Sequence, residues 1–327
     1  MITYPAPLVT MLELVDQLPL SAPPSTRSPG RPVVYSDGLF LKALVIMIVR
    51  RLSKVHELLS VLEQPTQEMH QLKQKLYEKG RFPSRRTWER RLEQIPDTLP
   101  EQIACLGQHL LSKLKPWAHT GRAVAIDSTL LRAKGGVWHK KDREKGLVPH
   151  TSIDTDAHWG KSDWHGWIYG WKLHVVLTVA DVWLPLVAEL TPANQYDGEM
   201  GLWLLEALPE EVRFVLGDRH YNTEELRDLC QQADCALVTS QYGTYPHTDD
   251  GVEVRRLFHR LGSLSIENFN GQFKGIFDLQ GQVPTKGATN TRRYILGAVF
   301  VYQLILWYRF EHGLDLRVGL EPFLKAA

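Results

Sequence analysis

The chain reads as an α/β protein, a mixed sheet flanked by helices and preceded by an all-helical region. Three observations point there. From 36 to 115 the apolar residues recur at helical spacing only. After Gly121 short apolar runs alternate with helical stretches. Two of those runs, 170–180 and 182–190, meet at Ala180-Asp181, a connection too short for a crossover, so they form a hairpin.

Residues 1–35 are rich in Pro and Ser around 21–32 and read as an extended lead-in. Ser36-Asp37 caps a helix that runs through LFLKALVIMIVRRLSKVHELLSVLE. A second helix covers 66–80, stopped by Gly80. A third starts at Ser84 and ends near Ile95, and a fourth covers Pro100–Leu114. In the second half AVAID (123–127) is a strand, followed by a long polar loop, 128–166. The hairpin comes next, then a loop and helix (191–209) and the strand RFVLGD (213–218). A helix (223–234), the strand 235–240, a helix (264–278) and an apolar helix, 290–311, complete the order. The expected division is a lead-in (1–35), an all-helical region (36–117), a mixed α/β region (118–311) and a tail (312–327).

Composition narrows the function. With 43% hydrophobic and 23% charged residues, the chain of 327 can bury a core and is neither disordered nor fibrous. The apolar stretch Tyr294–Tyr308 has no charged side chain but spans only 15 residues, short of a membrane crossing. The N-terminus has no basic segment ahead of its apolar stretch, so no export signal or membrane partner is expected. The three cysteines, Cys105, Cys230 and Cys235, suit free thiols in a reducing cytoplasm.

Three acids stand where acids are costly. Asp127 ends AVAID and Asp218 ends RFVLGD, at strand ends where α/β sheets build sites. Glu267 lies on a helix between Ile266 and Phe269 and can lean over the same spot. Clustered carboxylates repel, which raises at least one pKa or calls for a hard cation such as Mg²⁺. Taken singly, each acid is explained as well by capping a loop or helix.

The text around these acids resembles the DDE transposases of bacterial insertion sequences, whose catalytic domain is RNase H-like. AIDST (125–129) resembles the family's first-Asp strand. The segment 169–200, with its Gly-Trp-Lys-Leu-His start and Thr-Pro-Ala-Asn-Gln-Tyr-Asp exit, resembles the next two strands. VLGDRHYN (215–222) resembles the second-Asp strand, and SIENFNGQFK (265–274) the third-acid helix. The four motifs occur in order over about residues 120–310.

The resemblance implies an RNase H-like sheet in which Asp127, Asp218 and Glu267 are the catalytic, metal-binding triad. They would hold two Mg²⁺ ions, with Mn²⁺ as a substitute. It also implies that Lys274, two turns from Glu267, contacts donor-end phosphate, and that Arg219 and His220 touch DNA. Partners would be double-stranded DNA, as terminal inverted repeats and target, and a second copy of the chain on that DNA. The location would be cytoplasmic, at the nucleoid. Where many relatives carry a Tyr and an Arg before the Glu, this chain has Arg260 and Ser263, so Arg260 or Arg256 takes the basic role. The rival readings are a nuclease of the same fold that cuts without joining, and a DNA-binding relic.

The net charge of +1 conceals a split. Residues 73–93 hold eight Lys and Arg against three Glu, and 132–145 hold six against two acids. Residues 173–212 hold seven acids and no Lys or Arg. Arg85, Arg86 and Arg90 near a helix start suit a helix-turn-helix reader or a solvated face. Lys172 is a candidate phosphate contact or a solvent-facing edge residue, and Asp197 reads as a helix N-cap. Trp159, Trp164 and Trp167 are candidates for stacking on an unpaired base, or for packing as a small cluster. Asp154, Asp156, His158, Asp163 and His165 crowd the long loop without a known zinc spacing.

Overall fold

The computed structural model describes residues 6–18, 35–115, 122–162, 166–179, 181–239, 256, 258–317 and 320. The Pro- and Ser-rich stretch at 21–32 and the side chains of Asp163, Trp164 and His165 lie outside them. The helical half comprises α1 (Pro7–Asp16), α2 (Asp37–Val49), α3 (Val55–Leu62), α4 (Gln67–Lys75) and α5 (Arg85–Leu114). The rest runs β1 (Ala123–Arg132), α6 (Lys140–Glu144), β2 (His158–Ser162), β3 (Gly166–Thr178), β4 (Pro185–Pro192), α7 (Asp197–Glu206) and β5 (Phe214–Gly217). It continues with α8 (Glu224–Gln232), β6 (Ala236–Thr239), α9 (Leu264–Ile276) and α10 (Ala288–Glu311).

The sheet is mixed. β3 pairs antiparallel with β1 along one edge and with β2 and β4, end to end, along the other. β1 then pairs parallel with β5, and β5 parallel with β6. Helices flank this sheet, with α5 and α10 on β4, α9 on β1 and α7 against β1, β3 and β4. The architecture is the expected RNase H-like one, with the all-helical region ahead of it. Among the described residues no helix is long and apolar enough to cross a membrane.

Four local expectations are corrected. Residues 7–16, expected to be extended, form α1: Pro7 opens it and Leu8, Met11, Leu12 and Val15 are buried in the core. The single helix expected after Ser36 is two. Arg51 turns left-handed (φ 55°), and the Leu52 amide bonds back to the Met47 carbonyl at 2.7 Å, closing α2 as a C-terminal cap does. Glu57 then accepts the amides of Ser53 (2.8 Å) and Lys54 (2.9 Å) to start α3. β1 continues five residues past Asp127 because β3 pairs with it as far as Arg132↔Gly170.

The fourth correction concerns α5. Ser84 caps it as expected, its hydroxyl accepting the Thr87 amide at 3.3 Å. The helix then runs unbroken for 30 residues through Pro96 and Pro100. A proline removes one amide and leaves the carbonyl four residues back without its donor. For Pro96 that carbonyl is Leu92, and the buried Arg293 of α10 donates to it from Nη1 at 3.2 Å. A side chain from the far end of the chain thus supplies the bond that the proline takes away.

Further polar ties fasten α10, α5 and β4 together. Gln303, fully buried, donates from Nε2 to the carbonyls of Ile103 (2.9 Å) and Pro185 (2.8 Å). Arg292 grips Glu189 with both ends of its fork, at 2.8 and 2.6 Å, and reaches Asp97 at 3.3 Å. Asp154 and Asp156 cap α10 from outside, accepting the amides of Gly287 (3.0 Å) and Ala288 (2.9 Å). These acids of the long loop therefore serve a helix terminus.

Gly107 sets how closely α5 approaches the sheet. A Cβ there would stand 3.1 Å from both the Leu186 Cα and the Pro185 carbonyl oxygen. Gly107→Val should force α5 off β4 and destabilise the chain by about 1–3 kcal/mol, read by chemical denaturation.

Candidate active site

The central acid is Asp127. It lies inside β1, opposite Val175 of β3, with the buried Ile126 on one side and Ser128 on the other. The parallel register of β1 with β5 runs from Ala123↔Phe214 to Ala125↔Leu216. Two residues further along, Asp127 is level with Asp218, the first residue after β5 ends at Gly217. Gly217 lets the chain turn tightly there, since a Cβ would meet the Ile126 side chain at 3.0 Å and Tyr221 at 3.1 Å.

Electrostatics join the three acids and add a fourth. The Asp127 carboxyl is pushed up from 3.8 to about 7, first by burial and then by the negative charges of Asp218, Asp197 and Glu267, against a hydrogen bond from the Ser128 amide. Tyr221 has its hydroxyl buried among Asp127, Asp197 and Asp218, and burial and those charges drive its pKa far above the phenol range. Lys274 faces the same place from α9. Its ammonium donates to the Leu130 carbonyl at 3.2 Å, and burial lowers its pKa against the pull of Asp127.

The carboxylates converge without closing on one point. Among the described residues no three His, Cys, Asp or Glu side chains are grouped to hold a metal ion. Asp218 is turned to its own turn, accepting the His220 amide at 2.7 Å and lying 2.9 Å from His220 Nδ1. Glu267, exposed on the first turn of α9, accepts the Ser263 hydroxyl at 2.8 Å. Ser263, which stands where many relatives of the resembled family have a basic residue, thus binds the third acid directly. The donor chemistry nonetheless fits a hard divalent ion: every candidate ligand is a carboxylate oxygen, and Asp218, Asp197 and Glu267 add negative charge at Asp127 beyond the effect of its burial.

Asp197 is the acid near Asp127 whose local sequence signal misleads. The residue at the N-cap of α7 is Tyr196, and Asp197 makes no capping bond. Its carboxylate instead takes the Lys172 ammonium at 3.2 Å and lies 3.4 Å from His174 Nδ1. Lys172 also donates to the Gln195 carbonyl at 2.8 Å, and His174 Nε2 meets the Thr191 hydroxyl at 2.8 Å. Burial pushes His174 down to about 4, so it is neutral at pH 7. Lys172 and His174 alternate on β3, so one face of that strand fixes the loop leading into α7.

The remaining candidates are scattered. Arg219 and His220 are exposed beside Asp218, and Arg260 is exposed in the turn before α9. Arg85, Arg86 and Arg90 lie exposed on the first turns of α5, Arg85 paired with Glu89 at 2.8 Å. Trp159 packs in a cluster, its ring 5.4 Å from Tyr169 and its Nε1 on the Trp138 carbonyl at 2.8 Å. Trp167 is 65% exposed.

Residues 118–262 match the family described as "Transposase DDE domain". No curated protein matches the chain. Two solved structures resemble it. One is a cryo-EM structure of the piggyBac transposase synaptic complex with hairpin DNA, at 11% identity and a TM-score of 0.37, covering 99% of this chain and 79% of that one. The other is a crystal structure of a pre-cleavage Mos1 transpososome, at 14% identity and a TM-score of 0.23, covering 86% and 80%.

The position of Asp127 has a measurable consequence. Its folded pKa lies above the unfolded value, so the folded state binds the extra proton between about 4 and about 7, and stability falls as pH rises through that window. Asp127→Asn should remove this loss. In metal-free buffer the variant should gain on the parent by a few kcal/mol, on the order of 2–4, between pH 4 and pH 8, read by denaturation at both.

Proposed function

We propose that this chain, which carries a domain of the DDE/RNase H-like transposase superfamily, is a DNA transposase of the insertion-sequence kind. In this reading 36–117 recognise terminal inverted repeats, 118–311 cut and join DNA, and 312–327 form a tail. The observation that carries it is the level placement of Asp127 in β1 and Asp218 just past the end of its parallel neighbour β5, with Glu267 close enough for its charge to raise the pKa of Asp127.

Asp127, Asp218 and Glu267 are the catalytic carboxylates. Two Mg²⁺ ions bound among them, or Mn²⁺ in their place, would activate a water or a sugar hydroxyl and stabilise the leaving 3′ oxygen. The chain's own groups prepare that site. Asp127 holds a proton below about pH 7 and gives it up when positive charge arrives. Asp218 is released from His220, and Glu267 from Ser263, to face Asp127. In this reading Lys274, whose ammonium bonds the Leu130 carbonyl on β1, takes a donor-end phosphate. Arg219, His220, Arg260 and Lys172 also touch DNA in this reading, Lys172 once it leaves Asp197. Joining two ends calls for two copies of the chain on the DNA, acting at the nucleoid.

Two experiments test this. Asp127→Ala, Asp218→Ala and Glu267→Ala should each reduce Mg²⁺-dependent cleavage of terminal-repeat DNA, and joining of a pre-cut end, to background while the far-UV spectrum is unchanged. Variants that cut like the parent sink the site, and a parent that cuts but never joins is a nuclease. Arg85→Ala, Arg86→Ala and Arg90→Ala together should weaken binding to terminal DNA. The slope of log affinity against log salt should fall by about 0.9 for each phosphate that is no longer neutralised.

A further inference from the structure

The segment between β1 and β2 has no part in the chemistry above, yet the fold builds it with care. It carries α6, and two tryptophans fasten that helix to β2. Trp159 of β2 donates to the Trp138 carbonyl at 2.8 Å, and Trp138 donates to the Leu147 carbonyl at 2.7 Å across α6. The Arg143 guanidinium lies 5.3 Å from the centre of the Trp138 ring and hydrogen-bonds His158 of β2. One basic side chain is thus spent as a strut, while Lys140, Lys141 and Lys145 stay exposed.

The strands continue the surface. β2 pairs with the outer end of β3, Trp159 opposite Tyr169 and Lys161 opposite Trp167. Opposed residues of an antiparallel pair share a face, and residues two apart on one strand do as well. Trp159, Lys161 and Trp167 therefore lie on one face of the hairpin, the face from which Trp159 reaches the Trp138 carbonyl. Lys161 is exposed, and Trp167 is the most exposed large hydrophobic side chain among the described residues, at 65%. Two acids of α6 offset part of this charge: Asp142 is half-buried and Glu144 pairs with Lys140 at 3.8 Å.

We infer that this arm, α6 with β2 and the outer end of β3, is a second DNA-binding surface away from the catalytic acids. Its lysines take phosphates, and the Trp167 ring takes an unpaired base. Trp167 lies eight residues along β3 from Val175, the partner of Asp127, which is about 26 Å of strand. At about 3.4 Å per nucleotide the arm meets DNA about eight nucleotides from the scissile bond. The inference rests on the reading of the chain as an enzyme acting on DNA.

The test uses the full chain and two oligonucleotide probes, a blunt duplex and the same duplex with a single-stranded overhang, each titrated over a salt series. Replacing Lys140, Lys141, Lys145 and Lys161 by Ala together should weaken binding of both probes and flatten the salt dependence by about 0.9 in slope per phosphate left without its lysine. Trp167→Ala should cost about fivefold or more on the overhang probe alone, and Trp167→Phe should restore most of it. Thermal unfolding of the variants checks that the fold is intact. If the parent binds and both sets of variants match its affinity and slope, the arm is not a DNA surface. If the parent binds neither probe, the reading of the chain as a DNA enzyme falls with it.

Discussion

The pairing of β1 with β3 is the constraint on which the rest of the structure depends. It runs from Val124↔Thr178 to Arg132↔Gly170, so β1 cannot end at its acid. Asp127 is consequently held inside a strand, with β3 on one side and the end of β5 just short of it on the other. Few carboxylates are tolerated there, because even partial burial penalises the charged form. Every other acid near it then acts on a group that cannot move away. The parallel neighbour delivers Asp218 to the same level, and α9, packed on β1, brings Glu267 and Lys274.

β3 organises the surroundings as well as the acid. Lys172 and His174 tie Asp197 and Thr191, which sets the path of the chain into α7. α7 in turn packs near the turn that carries Asp218 and Tyr221. The negative charge around Asp127 is thus distributed unevenly. Asp197 is matched by a lysine within the protein, whereas among the described residues Asp218 bonds His220 and Glu267 bonds Ser263. The two weakly held acids are the ones that a cation or a phosphate-bearing ligand would recruit at least cost.

Much of this is legible in the sequence, and the failures share one physical origin. The hairpin of β3 and β4, the strand before Asp218 and the helix bearing Glu267 are readable because each is a local pattern of alternation or amphipathic spacing. Asp197 misleads because a capping residue and an ion-pairing residue look alike locally, and its lysine partner is 25 positions away. The two prolines of α5 signal a break because the donor for the Leu92 carbonyl lies 201 positions away. Asp154 and Asp156 look like a loose acidic cluster until the helix start they cap, more than 130 positions on, comes to lie beside them. In each case the local signal is sound and a distant partner decides the outcome.

The bond from Arg293 to Leu92 bears on how such a chain can be rearranged. The helical half is not a cassette. The Leu92 carbonyl of its longest helix takes its bond from a residue of α10, and the same pair of helices is pinned again by Gln303. A chimera that grafts residues 36–115 onto another sheet without α10 would carry a helix with a gap in its backbone ladder at Pro96. A specificity swap between relatives of this chain therefore has to exchange two stretches at once, one near each end of the sequence.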